Sequence, residues 1–231
     1  MSTAIQKSRR WVKERPFVFL IAVQLALLVA DAALDRNGAN TMLSSGLLAL
    51  FVGAVIIALR SVRMPVHHLR LLGTAAVILR VSEYYLHLQA TSVLLYLVWG
   101  AFSLLLVIVL IEFALRRDHS PTFGKLAAVS AAYIAFPQFW TSLFLLIQMG
   151  DPHAFLPGPG QTAPLSYQDM LYFAYNVFTT VDISETLPAS RLASISVILA
   201  EIVAQLYVVI FIARLVGFFP NQPPSTAKKA R

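Results

Sequence analysis

The sequence predicts an all-α polytopic membrane protein: six transmembrane helices, with a short re-entrant helix between the fifth and the sixth. Three observations predict it. Of 231 residues, 58% are hydrophobic and 13% charged, about half the charged fraction of a soluble domain, and mean hydropathy is +0.72. Long apolar runs recur along the chain and are continuous rather than alternating, which suits helices and not a β-barrel. The basic residues gather between those runs, so the net charge of +7 reads as membrane topology and not as a nucleic-acid footprint.

Residues 1–15 form a polar segment carrying Lys7, Arg9, Arg10, Lys13 and Arg15. The first apolar run is 16–33. A basic start before an apolar stretch is also the pattern of a secretory signal, and Ala30-Asp31-Ala32 faintly resembles a cleavage site; the run is long enough to span and is read as a span. The second run, 42–59, precedes a basic stretch with Arg60, Arg63, His67, His68 and Arg70. The two histidines are adjacent, which is not a metal spacing on one helix face, and they are read as loop residues. The third run, 71–88, is interrupted by Arg80 and Glu83. Three residues apart, they share a helix face and are read as an internal pair that fixes packing, with Asp31 as another candidate partner.

The fourth run, 91–115, contains no Lys or Arg. A voltage sensor needs several cations along one helix, at about 2.3 kcal/mol per charge per 100 mV, so steep voltage gating through this helix is not expected. Glu112 is placed to reach headgroups or Arg116. Arg116, Arg117 and Lys125 mark the next loop, with Pro121 as a breaker. The fifth run, 126–149, contains Pro137, which a membrane helix tolerates as a kink. The sixth, 192–218, ends before Pro220, and 219–231 form a short tail. With six spans and an internal N-terminus, 15 of the 18 Lys and Arg residues fall on the cytoplasmic side. Both termini are therefore expected there.

There is no cysteine, which removes disulfides, thiolate metal sites and Cys nucleophiles. No metal pair, nucleophile–base set or inverted repeat is visible, so neither enzyme nor transporter chemistry is expected. No cofactor and no nucleic-acid partner are expected either.

The segment between the fifth and sixth runs carries the most information. Residues 151–164 are rich in Pro and Gly and predict an exposed loop. Ser166 and Asp169 then make an S-x-x-D capping signature. The helix it opens lasts about twelve residues, roughly 18 Å, too short for a hydrocarbon core of about 30 Å. A short apolar helix followed by polar residues and a return is a re-entrant element, which survives at membrane depth only where protein or water covers it. Trp140, Tyr172, Tyr175 and Phe178 are expected to pack around it.

Tyr172-Phe173-Ala174-Tyr175-Asn176-Val177-Phe178-Thr179-Thr180-Val181 resembles the pore helix and the start of the filter of bacterial potassium channels. Pro188 falls where those channels often have a proline after the filter. Gln205-Leu206-Tyr207 and Ile212-Ala213-Arg214-Leu215-Val216-Gly217 resemble the inner helix of small bacterial ion channel proteins, which have a four-helix N-terminal part and a two-helix pore. The match covers about 122–217; the N-terminal half matches in helix count and topology alone. The resemblance implies a four-helix domain at 16–121 and a potassium-channel-like pore domain at 122–218. It further implies a homotetramer in a bacterial-type inner membrane, with permeant inorganic cations and the bilayer as its partners. The conduction filter would be Thr179, Thr180, Val181, Asp182, Ile183, Ser184 and Glu185.

The chain departs from that pattern at the filter itself. Where a potassium channel carries Gly-Tyr-Gly-Asp, this sequence reads Asp182-Ile183-Ser184-Glu185. Potassium channels replace the ion's hydration shell with carbonyls from four Thr-Val-Gly-Tyr-Gly loops, and the glycines allow alternate left-handed residues. Asp182 tolerates that backbone better than most residues and Ser184 gains little, while Ile183 lacks the bracing hydroxyl. Strict potassium selectivity is not expected. In a tetramer, Asp182 and Glu185 would instead form carboxylate rings, which favour cations, including divalent ones with oxygen-only ligands. The alternative is that both acids face outer water and the filter has decayed. Glu201 would face the cavity or support the filter from behind, and Ala204 stands where many such inner helices place a hinge glycine. Two readings remain: a cation channel with a non-standard filter, and a non-conducting scaffold or auxiliary subunit on the same fold.

Overall fold

The computed structural model describes residues 15–35, 41–61, 66–86, 88–116, 122–159, 164–181 and 183–218. These are almost entirely helical, as the composition predicts. The elements are α1 (Pro16–Asp35), α2 (Thr41–Ser61), α3 (His67–Leu86), α4 (Gln89–Leu115), α5 (Thr122–Gly150), β1 (Phe155–Leu156), α6 (Tyr167–Thr179), β2 (Leu187–Pro188) and α7 (Arg191–Phe218). Three of these helices are long and apolar enough to cross a membrane: α4, α5 from Phe123, and α7 as far as Phe211. Shorter apolar stretches, Pro16–Ala30 and Ser45–Ser61, lie in α1 and α2.

Two apolar clusters organise the molecule. The first joins α1, α2, α3 and α4 to the first half of α5. That half presents Ala127, Ala128, Ala131, Ala132 and Ala135, all buried; small side chains let helix backbones approach closely without an inter-helix hydrophobic drive. Gly73 serves the same end on α3, since a Cβ there would lie 2.5 Å from a Val52 methyl of α2. The second cluster joins the other half of α5 to β1, α6 and α7. Helix α5 is thus shared by both clusters. Pro137 sits near its middle without ending it, and Thr141 donates its hydroxyl to the Pro137 carbonyl at 2.9 Å.

Several sequence expectations are met in detail. Arg80 Nη1 donates to Glu83 Oε2 at 2.7 Å, and Ser92 of α4 donates to the other Glu83 oxygen at 2.6 Å, so the pair ties α3 to α4. Glu112 and Arg116 pair at 2.9 Å. The side chain of Asp31, the other candidate partner, lies outside the described residues, as do Arg36, Pro121 and the tail 219–231.

Others are corrected. His67 and His68 are not loop residues: α3 begins at His67, and their rings lie 4.0 Å apart on its exposed first turn. Lys125 is not in a loop either. It lies in the first turn of α5, is buried, and donates to the Arg116 carbonyl at 2.6 Å, satisfying an acceptor at the end of α4 that has no partner within its own helix. The Pro/Gly-rich segment after α5 is not wholly exposed. Ala154 and Phe155 are buried, because β1 pairs antiparallel with β2, Phe155 opposite Pro188 and Leu156 opposite Leu187.

Candidate functional site

The site is the segment from α6 through β2, held between α5 and α7. Helix α6 starts as its sequence predicts. Ser166 Oγ accepts from the Asp169 amide at 3.1 Å. The Ser166 amide donates back to Asp169 Oδ2 at 3.1 Å, a complete capping box. One residue earlier, Gln148 of α5 clamps Leu165: its Nε2 donates to the Leu165 carbonyl and its Oε1 accepts from the Leu165 amide, both at 3.0 Å. Both partners are buried. At 13 residues, α6 is about 20 Å long, short of a bilayer core.

Aromatic contacts fix the flank of α6. Phe173 packs on Phe144 of α5 and Phe155 of β1, with ring centroids 5.6 and 5.7 Å away. Phe178 meets Tyr133 and Phe136 of α5 at 5.0 and 5.2 Å. Tyr175 donates its hydroxyl to the Ile134 carbonyl at 2.8 Å, a carbonyl close to the Pro137 position. Trp140 and Phe178 are buried as expected. Tyr172 is not: it is 51% exposed.

The helix ends on Thr180, whose φ of 54° and ψ of 33° are left-handed. It is the one described non-glycine residue with positive φ, and for a β-branched residue that conformation is an outlier. It turns the chain so that Thr179, Thr180, Val181 and Ile183 are all exposed, with Ser184 half-buried and Glu185 exposed. Ser184 does not take a left-handed backbone. Asp182 lies outside the described residues.

Asn176 holds this outgoing segment, and sequence reasoning missed it. Its Nδ2 donates to the Tyr172 carbonyl at 2.8 Å, and its Oδ1 accepts from the Ile183 amide at 3.2 Å. Its own carbonyl accepts from the Val181 amide at 3.3 Å. The side chain is buried, so both ends of the amide are used where unpaired groups would be costly. Gly158 is the second missed residue. A Cβ there would lie 2.5 Å from Glu185 Cβ and 3.1 Å from its carbonyl carbon, so the loop after α5 backs directly onto Glu185. Beyond it Thr186 is buried, and the Ala154 carbonyl accepts from the Ala189 amide at 2.8 Å.

Helix α7 then runs back along α5 and α6. Ser190 caps it, accepting from the Ala193 amide at 3.1 Å. Ala193, Val197, Ala200 and Ala204 form its buried stripe, so Ala204 is a packing position against the second cluster. Tyr207 anchors the helix by donating to the Val129 carbonyl at 2.6 Å. The other face is bare: Ile195, Ile198, Leu199, Ile202, Leu206 and Val209 are each 47–62% exposed. Glu201 is half-buried and Gln205 exposed.

Among the described residues no group of His, Cys, Asp and Glu is arranged to hold a metal. No protein-family model, curated protein or solved structure matches this chain.

Proposed function

We propose that this chain is a homotetrameric cation channel, multi-pass in a bacterial-type inner membrane with both termini cytoplasmic. Its pore would have the potassium-channel arrangement, and its filter the non-standard residues Thr179 to Glu185. On this reading α1–α5 and α7 are the six spans and α6 is the re-entrant pore helix. One observation carries it: a capped helix too short to span, followed by an exposed segment tied to that helix through Asn176, beside a membrane-length helix whose outer face is exposed among the described residues. Exposed threonines at the end of a short helix suit a water-filled axis shared by several copies. Ionisable Glu201 and polar Gln205, one turn apart on α7, favour the same arrangement, since intramembrane polar groups face a bundle interior or a hydrated cavity.

The pore would favour cations through rings built by Asp182 and Glu185. It would not discriminate strictly for potassium, because Ser184 does not supply the alternating backbone of a carbonyl ladder.

The test is flux from purified protein in liposomes under potassium, sodium, calcium and chloride gradients. Cation flux that excludes chloride without strong potassium preference is expected. Asp182→Asn with Glu185→Gln should weaken the cation preference and any calcium block, and unchanged reversal potentials would remove the carboxylate ring. Absence of flux in every gradient would favour a non-conducting scaffold or auxiliary subunit, the reading supported by the missing filter glycines.

A further inference from the structure

Away from the filter strand, a cavity of about 100 Å³ lies where α1, α2, α3, α4, α5 and the first turn of α6 converge. Its wall is mostly apolar, with leucines such as Leu28, Leu47 and Leu95. Three polar side chains in that wall carry an atom with no hydrogen-bond partner: Gln24 Oε1, Gln138 Oε1 and Trp99 Nε1. Gln24 and Trp99 are 3% and 5% exposed, and both are fixed. Gln24 Nε2 donates to the Ala131 carbonyl at 3.3 Å. The Trp99 ring stacks on Phe102 at 5.2 Å and meets Phe51 edge-on at 5.9 Å. Arg80, also in the wall, is already neutralised by Glu83.

A buried donor or acceptor left unmatched costs about 1–3 kcal/mol, and here the side chains that carry two unmatched acceptors and one unmatched donor line one small, mostly apolar space. We propose that this cavity is a binding site for a small neutral hydroxylated amphiphile, a phenol or alcohol. A hydroxyl donates one hydrogen bond and accepts others, so it answers one amide oxygen, that of Gln138 on this proposal, together with the indole N–H. Neutrality follows from the Arg80–Glu83 pairing, since an ion would enter with its desolvation uncompensated. Size follows from the volume: a cavity of about 150 Å³ holds benzene, so about 100 Å³ takes part of a single ring, the rest extending through the open side of the cavity. Leu28, 36% exposed, lies on an open side of the cavity. Tyr167 and Gln168 of α6 complete the wall, so the ligand would touch both the N-terminal helices and the first turn of α6.

The test uses the full-length protein in lipid nanodiscs and fluorine NMR of 4-fluorophenol, with fluorobenzene as the probe lacking a hydroxyl. Saturable 4-fluorophenol binding above that of empty nanodiscs, at least about tenfold tighter than fluorobenzene, is expected. Leu47→Trp, which fills the cavity without removing a polar group, should abolish the saturable signal. Gln138→Leu should weaken 4-fluorophenol about fivefold to tenfold and leave fluorobenzene unchanged. Equal binding of the two probes to the unsubstituted protein would overturn the proposal whatever the variants do. So would linear partitioning identical to empty nanodiscs, which leaves the cavity to water alone. Unchanged binding in Leu47→Trp protein that elutes as the parent does would place the probe elsewhere and overturn it too.

Discussion

At the scale of single residues the segment that follows α6 is governed by two unlike devices, one strained and one satisfied. Thr180 takes a left-handed backbone that costs an L-residue about 1–2 kcal/mol. Glycine would pay none of that, although it loses more chain entropy on folding, about 0.5–1 kcal/mol. Thr180→Gly should therefore stabilise the protein slightly, by about 0.5 kcal/mol, visible as a small rise in Tm; a fall would mean that the threonine side chain holds the turn. Asn176 is the satisfied device. Asn176→Leu keeps the bulk and removes the acceptor of the Ile183 amide. Hydrogen exchange at Ile183 should accelerate about fivefold, as loss of one hydrogen bond worth about 1 kcal/mol implies, while exchange in α4 stays as it was. Neither device was legible in the sequence. Thr180 reads as one of two ordinary threonines, and Asn176 as one polar residue in an aromatic helix. Their roles depend on where the chain goes after the helix, which local spacing does not encode.

At the scale of elements much more was legible, because it rests on short-range chemistry. The S-x-x-D signature placed the start of α6 correctly, and the box it predicts is closed in both directions. Apolar runs located the helices because a helix must be apolar where it packs or meets lipid. What failed was the boundary chemistry. His67, His68 and Lys125 read as loop residues because they are polar, yet each sits in a first helical turn, where unpaired backbone groups and nearby carbonyls give polar side chains work to do. The β1–β2 pairing was hidden in a Pro/Gly-rich stretch, since two-residue strands have no periodicity to detect. The Gln148 clamp on Leu165 was hidden as well, because it spans two elements. It is the firmer of the two anchors on α6. Ser166→Ala should cost about 1 kcal/mol. Gln148→Leu strips two buried hydrogen bonds and leaves the Leu165 amide and carbonyl unmatched, and should cost about 2–4 kcal/mol. Thermal unfolding of the two variants in one detergent checks the order; a larger loss for Ser166→Ala would show that the cap, and not the clamp, fixes the helix.

At the scale of the whole molecule the question is what covers α7. Only 22% of its most apolar stretch is buried within the protomer, against 50% for α4 and 56% for α5. Lipid alone could cover isoleucines and leucines, which are as much at home against acyl chains as against each other. It suits the neighbouring Glu201 and Gln205 poorly, because ionisable and amide groups in a span seek water or protein partners. On the proposed tetrameric reading, one side of this face meets another copy and the other meets a hydrated axis. Ile202→Lys places a charge in the middle of the bare stripe, where Ile202 is 47% exposed, so the protomer's own core loses nothing. Chemical crosslinking and light scattering in mild detergent should show four copies for the parent protein and a shift to single copies for the variant, with the helical content of both unchanged. If the variant remains tetrameric, α7 is covered by lipid on that face and the copies meet elsewhere. If the parent is itself monomeric, no shared axis exists, and Thr179 to Glu185 cannot form a ring of any kind.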